Sequence, residues 1–167
     1  MVTIRPEHPG DAAAVRSVHE AAFPGHDEAR LVDALRAAGR MVVSLVAEDN
    51  GRIVGHVAFS PVTVEGASDG VGLAPVAVIP TAQRGGIGSR MIRDGLDICR
   101  QNGFGFVVVL GAPAYYGRFG FTPAHAWGLD DEYGGGEAFQ ALELRAGSIP
   151  KDAGRVRYAP EFAALDE

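Results

Sequence analysis

A glycine-rich turn between a proline-ended strand and a helix, with a wholly apolar strand after the helix, constrains this chain more than any other feature. Leu73 to Ile79 reads as a strand, and Pro80 closes it. Gln83-Arg84-Gly85-Gly86-Ile87-Gly88 then leads into a helix over about 87–101, with Ile87, Met91, Gly95 and Ile98 on its buried face and Asn102-Gly103 as its stop. Phe106 to Leu110 is a continuous apolar run, as in a strand covered on both faces. Strand, glycine loop, helix and strand together predict a right-handed parallel crossover. The turn itself predicts an anion site. The first N–H groups of a helix lack intrahelical partners, and the helix dipole adds partial positive charge. Glycines let an anion approach the backbone, and Arg84 adds a charge. A Walker A loop is excluded, because its lysine is missing: the chain's single lysine is Lys151. A dinucleotide fingerprint starts at Gly86 and Gly88, but Met91 stands where its third glycine belongs.

The flanking sequence predicts a mixed α/β domain. Thr3 to Arg5 forms a short strand ended by Pro6. Helices are expected over 11–23 (Val15, Val18 and Ala22 on one face) and about 27–38 (Leu31, Leu35 and Ala38), separated by Pro24-Gly25. Two strands, Met41 to Glu48 and Ile53 to Val64, are joined by Asp49-Asn50-Gly51, a hairpin signal. After the crossover, Ala112-Pro113 opens a short helix through Tyr115 and Tyr116. The Gly117–Phe121 stretch opens another strand. Gly134-Gly135-Gly136 turns the chain into a last strand, Phe139 to Arg145, and the tail from Gly147 reads as loop packed over the body. One domain spanning 1–167 is expected, with its core at about 3–145. The net charge of −6 disfavours nucleic acid as a partner. No apolar run reaches the ~18 residues of a membrane span, and no signal peptide opens the chain. One cysteine, Cys99, rules out an internal disulfide and reads as a small buried hydrophobe, so a cytoplasmic protein is expected. The five histidines show no ligand spacing, so no metal is expected. Asp130-Asp131-Glu132 reads as a solvated loop.

One further phosphate-binding pattern, Arg/Gln-x-x-Gly-x-Gly/Ala, is the pyrophosphate loop of acyl-coenzyme A transferases. Gln83, Gly86 and Gly88 fit it. The stretch Leu73 to Met91, followed by Tyr116-Gly117-Arg118-Phe119-Gly120-Phe121 after one helix and one buried strand, resembles the GNAT superfamily of N-acetyltransferases. The segment Gly111 to Tyr116 is similar to a branch of bacterial acetyltransferases with Gly-x-Pro-x-Tyr-Tyr before the Gly-Phe. The resemblance implies a mostly antiparallel sheet with a splayed central parallel pair and helices on both faces. It implies that the backbone of Val76, Ala77 and Val78 bonds the pantetheine arm of acetyl-CoA. It implies that amides of Arg84, Gly85, Gly86, Ile87, Gly88 and Ser89, with Gln83, hold the pyrophosphate. Tyr116 occupies the family's general-acid position, suited to protonate a leaving thiolate. The implied reaction is acetyl transfer to a primary amine, small-molecule or peptide, by direct attack in a ternary complex, in a monomer or homodimer. A non-catalytic acyl-CoA sensor is the alternative. Two departures stand out. Gly111-Ala112-Pro113 replaces a cofactor-contacting asparagine, and strand 73–79 carries no Glu or His as a general base, leaving His56 or Glu28 as unassigned candidates.

Overall fold

Apolar alternation and turn chemistry produce nine strands and four α-helices among residues 1–166, the part described by the computed structural model. The chain forms two compact units. The first comprises Met1–Ser60, Ala74–Asp97 and the segment from Pro160, and the second Pro61–Leu73 and Ile98–Ala159.

In the first unit, β1 (Val2–Pro6) pairs antiparallel with β2 (Val43–Asp49), and β2 with β3 (Arg52–Pro61). The β2–β3 loop is the expected hairpin. Asn50 and Gly51 both take positive φ, 51° and 82°, as a two-residue type I′ turn requires. Helix α1 (Ala12–Ala22) starts one residue later than expected, because Pro9–Asp11 forms a 3-10 turn whose Asp11 carboxylate accepts the His8 N–H at 2.7 Å. Helix α2 spans Asp27–Ala37. Val15, Val18, Leu31, Val32 and Leu35 of these helices are buried, as are Leu45 and Val46 of β2.

Helix α3 (Ile87–Gln101) packs its first turns on β3 through glycines. A Cβ on Gly95 would lie 2.4 Å from Cε1 of Phe59, and one on Gly55 would lie 2.9 Å from Cε of Met91. The buried face of α3 runs through Ile87, Met91, Ile92, Gly95, Leu96 and Cys99, while Ile98 is only half-buried. Gly95→Ala therefore inserts a methyl into the buried Phe59 ring. We expect a loss of about 2 kcal/mol, read as a drop of about 5 °C in a thermal melt.

In the second unit, the first residues of β4 (Gly70–Val78) run parallel to β5 (Phe106–Leu110). Strand β5 pairs antiparallel with β8 (Phe139–Glu143), and β8 with the two-residue β6 (Thr122–Pro123). Gly70 lets the Phe106 ring cross β4, since a Cβ there would fall 2.3 Å from Cζ. The tail holds more structure than its loop-like sequence implies. Strand β9 (Gly154–Val156) pairs in parallel with β7 (Leu129–Asp131). Tyr158 follows, buried, with Cε1 2.6 Å from where a Cβ of Gly72 would be. The acidic run serves this fold rather than standing free in solvent. Asp131 accepts the N–H groups of Tyr133 (3.1 Å) and Gly135 (2.8 Å), Glu132 accepts that of Tyr158 (2.8 Å), and Asp130 pairs with Arg155. Among the described residues, no helix is long and apolar enough to cross a membrane.

Candidate active site

Strand β4 is where the fold and the expected site meet. Its parallel ladder with β5 covers three pairs, Gly70–Phe106 to Gly72–Val108, yet the strand continues to Val78. Two bonds fix its register against the chain of β3: Val62 N–H to Gly70 O at 3.0 Å, and Ile79 N–H to Val54 O at 2.9 Å. Residues 54 to 62 advance by eight while 70 to 79 advance by nine, so β4 carries one extra residue between the two bonds, a bulge. From Leu73 onward, burial alternates regularly. Leu73, Pro75 and Ala77 are buried, whereas Ala74, Val76 and Val78 are half-buried. The candidate residues Val76, Ala77 and Val78 thus form the end of β4.

Residues Pro80–Ala82 then make a 3-10 turn, and the Gln83 side chain reaches back to donate to Val78 O at 2.9 Å. Gln83 therefore clamps the loop to the end of the strand. Arg84 has φ 69° and Gly86 φ 83°. A left-handed conformation is uncommon for a side chain such as arginine, and it stores about 1 kcal/mol or more of backbone strain. The first helical bond runs from Arg90 N–H to Gly86 O at 3.0 Å. Ile87, Gly88 and Ser89 thus form the helix's opening turn, at its positive end. The Ile87 side chain is buried and anchors that turn, and Gly88 and Ser89 are half-buried.

The glycines of this loop differ in kind from Gly55 and Gly95. A Cβ on Gly86 would meet nothing within 4 Å, and one on Gly85 would meet only Ala82 O at 3.8 Å. Strand–helix packing therefore does not require glycine at 85 or 86. Gly86 answers its positive φ, and Gly85 leaves open space over exposed backbone. That is a surface a diphosphate can approach, next to the helix's positive end.

Tyr116 lies in the second unit, at the end of α4 (Pro113–Tyr116). Its ring is buried and packs edge-on to Phe121 (centroids 5.9 Å apart) and Tyr115 (5.0 Å). Gly111 makes room for it, since a Cβ there would fall 2.3 Å from Cε2 of the ring. The first residue of the Gly111-Ala112-Pro113 stretch thus serves the tyrosine. Burial, with a smaller contribution from Tyr115, pushes the Tyr116 phenol up to about 12, so the hydroxyl holds its proton throughout the neutral range. Tyr115 is half-buried, with the Arg118 guanidinium 4.4 Å from its ring centre.

The two base candidates fall differently. Glu28 is half-buried in the first turn of α2. His56 is completely buried in β3, and its Nδ1 lies 2.8 Å from Nε2 of His19. Sequence reasoning missed that pairing and the left-handed Arg84, since neither has a local signal. It also missed Tyr158 over Gly72, because the tail read as loop. Cys99 is buried and its thiol is pushed up to about 12 by burial, so it is an inert hydrophobe.

Comparison with known proteins agrees with this geometry. Residues 3–124 match the family model "Acetyltransferase (GNAT) domain". The chain is 38% identical over 162 residues to the uncharacterized N-acetyltransferase YhbS of Escherichia coli K12, covering 95% of this chain and 97% of that protein. The crystal structure of Escherichia coli YhbS in complex with CoA superposes with TM-score 0.92 at 37% identity, covering 97% of this chain and 92% of that one. A GNAT acetyltransferase of Brucella melitensis in complex with acetyl-CoA superposes with TM-score 0.82 at 41% identity, covering 97% and 98%. With its loop, its tyrosine and its strand order accounted for, the chain belongs to the GNAT family of N-acetyltransferases.

Proposed function

We propose that this protein moves an acetyl group from acetyl-CoA to a primary amine, small-molecule or peptide, by direct attack in a ternary complex, with residues 1–167 acting as one domain. The single observation that carries this reading is the exposed loop 83–86, whose Gly85 leaves open space that no packing demands. The relatives crystallised with CoA and with acetyl-CoA support the same donor. In this reading the amides from Arg84 to Ser89, with Gln83 setting their frame, hold the diphosphate. The backbone of Val76, Ala77 and Val78 bonds the pantetheine arm as a further strand would. The N–H of Val78 polarises the thioester carbonyl as charge develops on its oxygen. The neutral acceptor amine attacks the carbonyl carbon, the C–S bond breaks, Tyr116 gives its proton to the leaving sulfur, and the surplus proton on the attacking nitrogen returns through solvent to the Tyr116 phenolate.

Acid strength suits that last step. A phenol near 12 is a weak acid toward a solvated thiol near 8.5. Burial raises a thiol as well as a phenol: it lifts Cys99 of this chain to about 12. Where the leaving sulfur is itself desolvated beside Tyr116, the same physical cause raises its proton affinity and narrows the gap between donor and acceptor.

Two measurements test the reading. Titration calorimetry with coenzyme A, ATP and NAD should give heat with coenzyme A in preference to the others. Preferential binding of ATP or NAD would end the proposal. A panel of primary amines with acetyl-CoA should release free thiol with at least one member. Tight coenzyme A binding with no release for any amine would point instead to a sensor.

A further inference from the structure

Two histidines outside the proposed transfer machinery form a buried pair in the first unit. His19 of α1 is 1% exposed and His56 of β3 is 0% exposed. Their rings meet edge to face with centroids 5.1 Å apart, and Nε2 of His19 lies 2.8 Å from Nδ1 of His56. One of these nitrogens donates to the other, so the contact needs one proton between two rings. The other nitrogen of His56, Nε2, is 2.8 Å from Ser44 Oγ and 3.6 Å from Glu7 Oε1. The other nitrogen of His19, Nδ1, is buried with no hydrogen-bond partner among the described residues, while the ring stacks on Phe23, the residue that caps α1.

The charged groups around the pair are already matched with one another. Glu7, beyond β1, accepts Arg36 of α2 through both oxygens, at 2.7 and 3.3 Å. Asp33 of α2 is shared between Arg36, at 3.2 Å, and Arg16 of α1. Both nearby carboxylates are thus engaged, and Arg36 adds positive charge. An added proton would therefore sit beside a cation, out of water. If it went to the shared contact, each ring would present N–H to N–H. If it went to Nδ1 of His19, it would be a buried donor with nothing to receive it, and if it went to Nε2 of His56 it would meet Ser44 Oγ and a Glu7 oxygen that Arg36 already engages. Solvent still reaches the edge of the group, because a cavity of about 290 Å³ is lined by Glu7, Arg36, Met41 and Ser44.

We propose that the His19–His56 pair is an acid-sensitive latch, in which proton uptake by either imidazole releases α1 from β3. Both rings are held below the usual histidine value by burial first, His19 down to about 4 with Arg36 adding to the effect, and His56 with His19 and Arg36 adding to it. The sign follows. A base that is harder to protonate when folded favours the closed state fully above about pH 6.5 and loses that contribution as the pH falls toward the folded value. Between pH 7.5 and pH 5 the opening equilibrium should rise about thirty-fold for each histidine exposed, and about a thousand-fold for both.

Hydrogen exchange followed by mass spectrometry on the full chain reads this directly. After correction for the intrinsic rate, amides of α1 should lose protection by about a thousand-fold between pH 7.5 and pH 5 in the wild type, where opening exposes both rings, and by about thirty-fold in His19→Phe, which keeps His56 alone. Equal sensitivity in the two proteins would overturn the latch, as would a wild-type α1 whose protection ignores pH. Should His19→Phe fail to fold, histidine ring resonances in the wild type decide the matter. Those of His19 and His56 should not shift between pH 7.5 and pH 5 in the folded protein, and a midpoint near 6.5 for either would refute the proposal.

Discussion

Tyr116→Phe should lower kcat by about 100-fold or more while leaving the affinity for coenzyme A unchanged. The substitution removes one hydroxyl from a ring that is already buried and packed edge-on against Phe121 and Tyr115, so the fold keeps every ring contact it has. A thermal midpoint at or slightly above the wild-type value is expected alongside the loss of turnover. The pH profile supplies a second, independent reading. The phenol is pushed up to about 12, so it remains protonated across any workable range and contributes no limb to the profile. The acid limb then follows deprotonation of the acceptor: near pH 8 for an α-amino group, and near 10 for a lysine-type amine. A Tyr116→Phe variant with wild-type kcat would remove the general-acid role while leaving the family assignment in place. A bell-shaped profile closing near pH 10 with every amine would assign the proton to a different, less buried group.

Much of this was readable in the sequence where local chemistry decides structure. The apolar run Phe106 to Leu110 became β5 with the same bounds, because five consecutive apolar residues between glycine-containing turns have few other solutions. Asn50-Gly51 fixed its hairpin for the same kind of reason, as both residues accept positive φ. The loop from Gln83 to Gly88 was placed correctly because Pro80 and the glycines bracket a strand end and a helix start. What escaped was set by residues far apart in the chain. The bulge in β4 shows in its register against β3, and the one residue of 73–79 that hints at it is Pro75, a residue that strands accommodate at edges and bulges. His19 and His56 stand 37 positions apart and become partners only when α1 lies over β3. The acidic run 130–132 looked solvated because the groups it serves, the N–H of Tyr158 and the Arg155 side chain, come from a tail without apolar periodicity.

Gly85→Ala separates recognition from folding most cleanly, and the reason lies in two glycines that behave differently. Gly86 has φ 83°, so any side chain there strains the backbone by about 1 kcal/mol, and a loss of binding could be blamed on the loop. Gly85 has no positive φ, and the nearest atom to an added Cβ is Ala82 O at 3.8 Å, an ordinary contact. Alanine at 85 should leave the thermal midpoint within about 1 °C of wild type, or raise it slightly by restricting the unfolded chain. Its methyl group would, however, stand in the space that phosphate oxygens need in order to reach the amides between Arg84 and Ser89. Losing one or two charge-assisted N–H bonds to the diphosphate corresponds to about 1.5–3 kcal/mol, hence a coenzyme A dissociation constant weaker by about 10- to 100-fold in calorimetry. Dephosphorylated pantetheine, which lacks the diphosphate, should bind the variant and the wild type equally. Unchanged coenzyme A affinity in a folded Gly85→Ala protein would mean that the anion sits elsewhere. Equal weakening for pantetheine and coenzyme A would place the damage in the strand β4 contacts rather than in the loop.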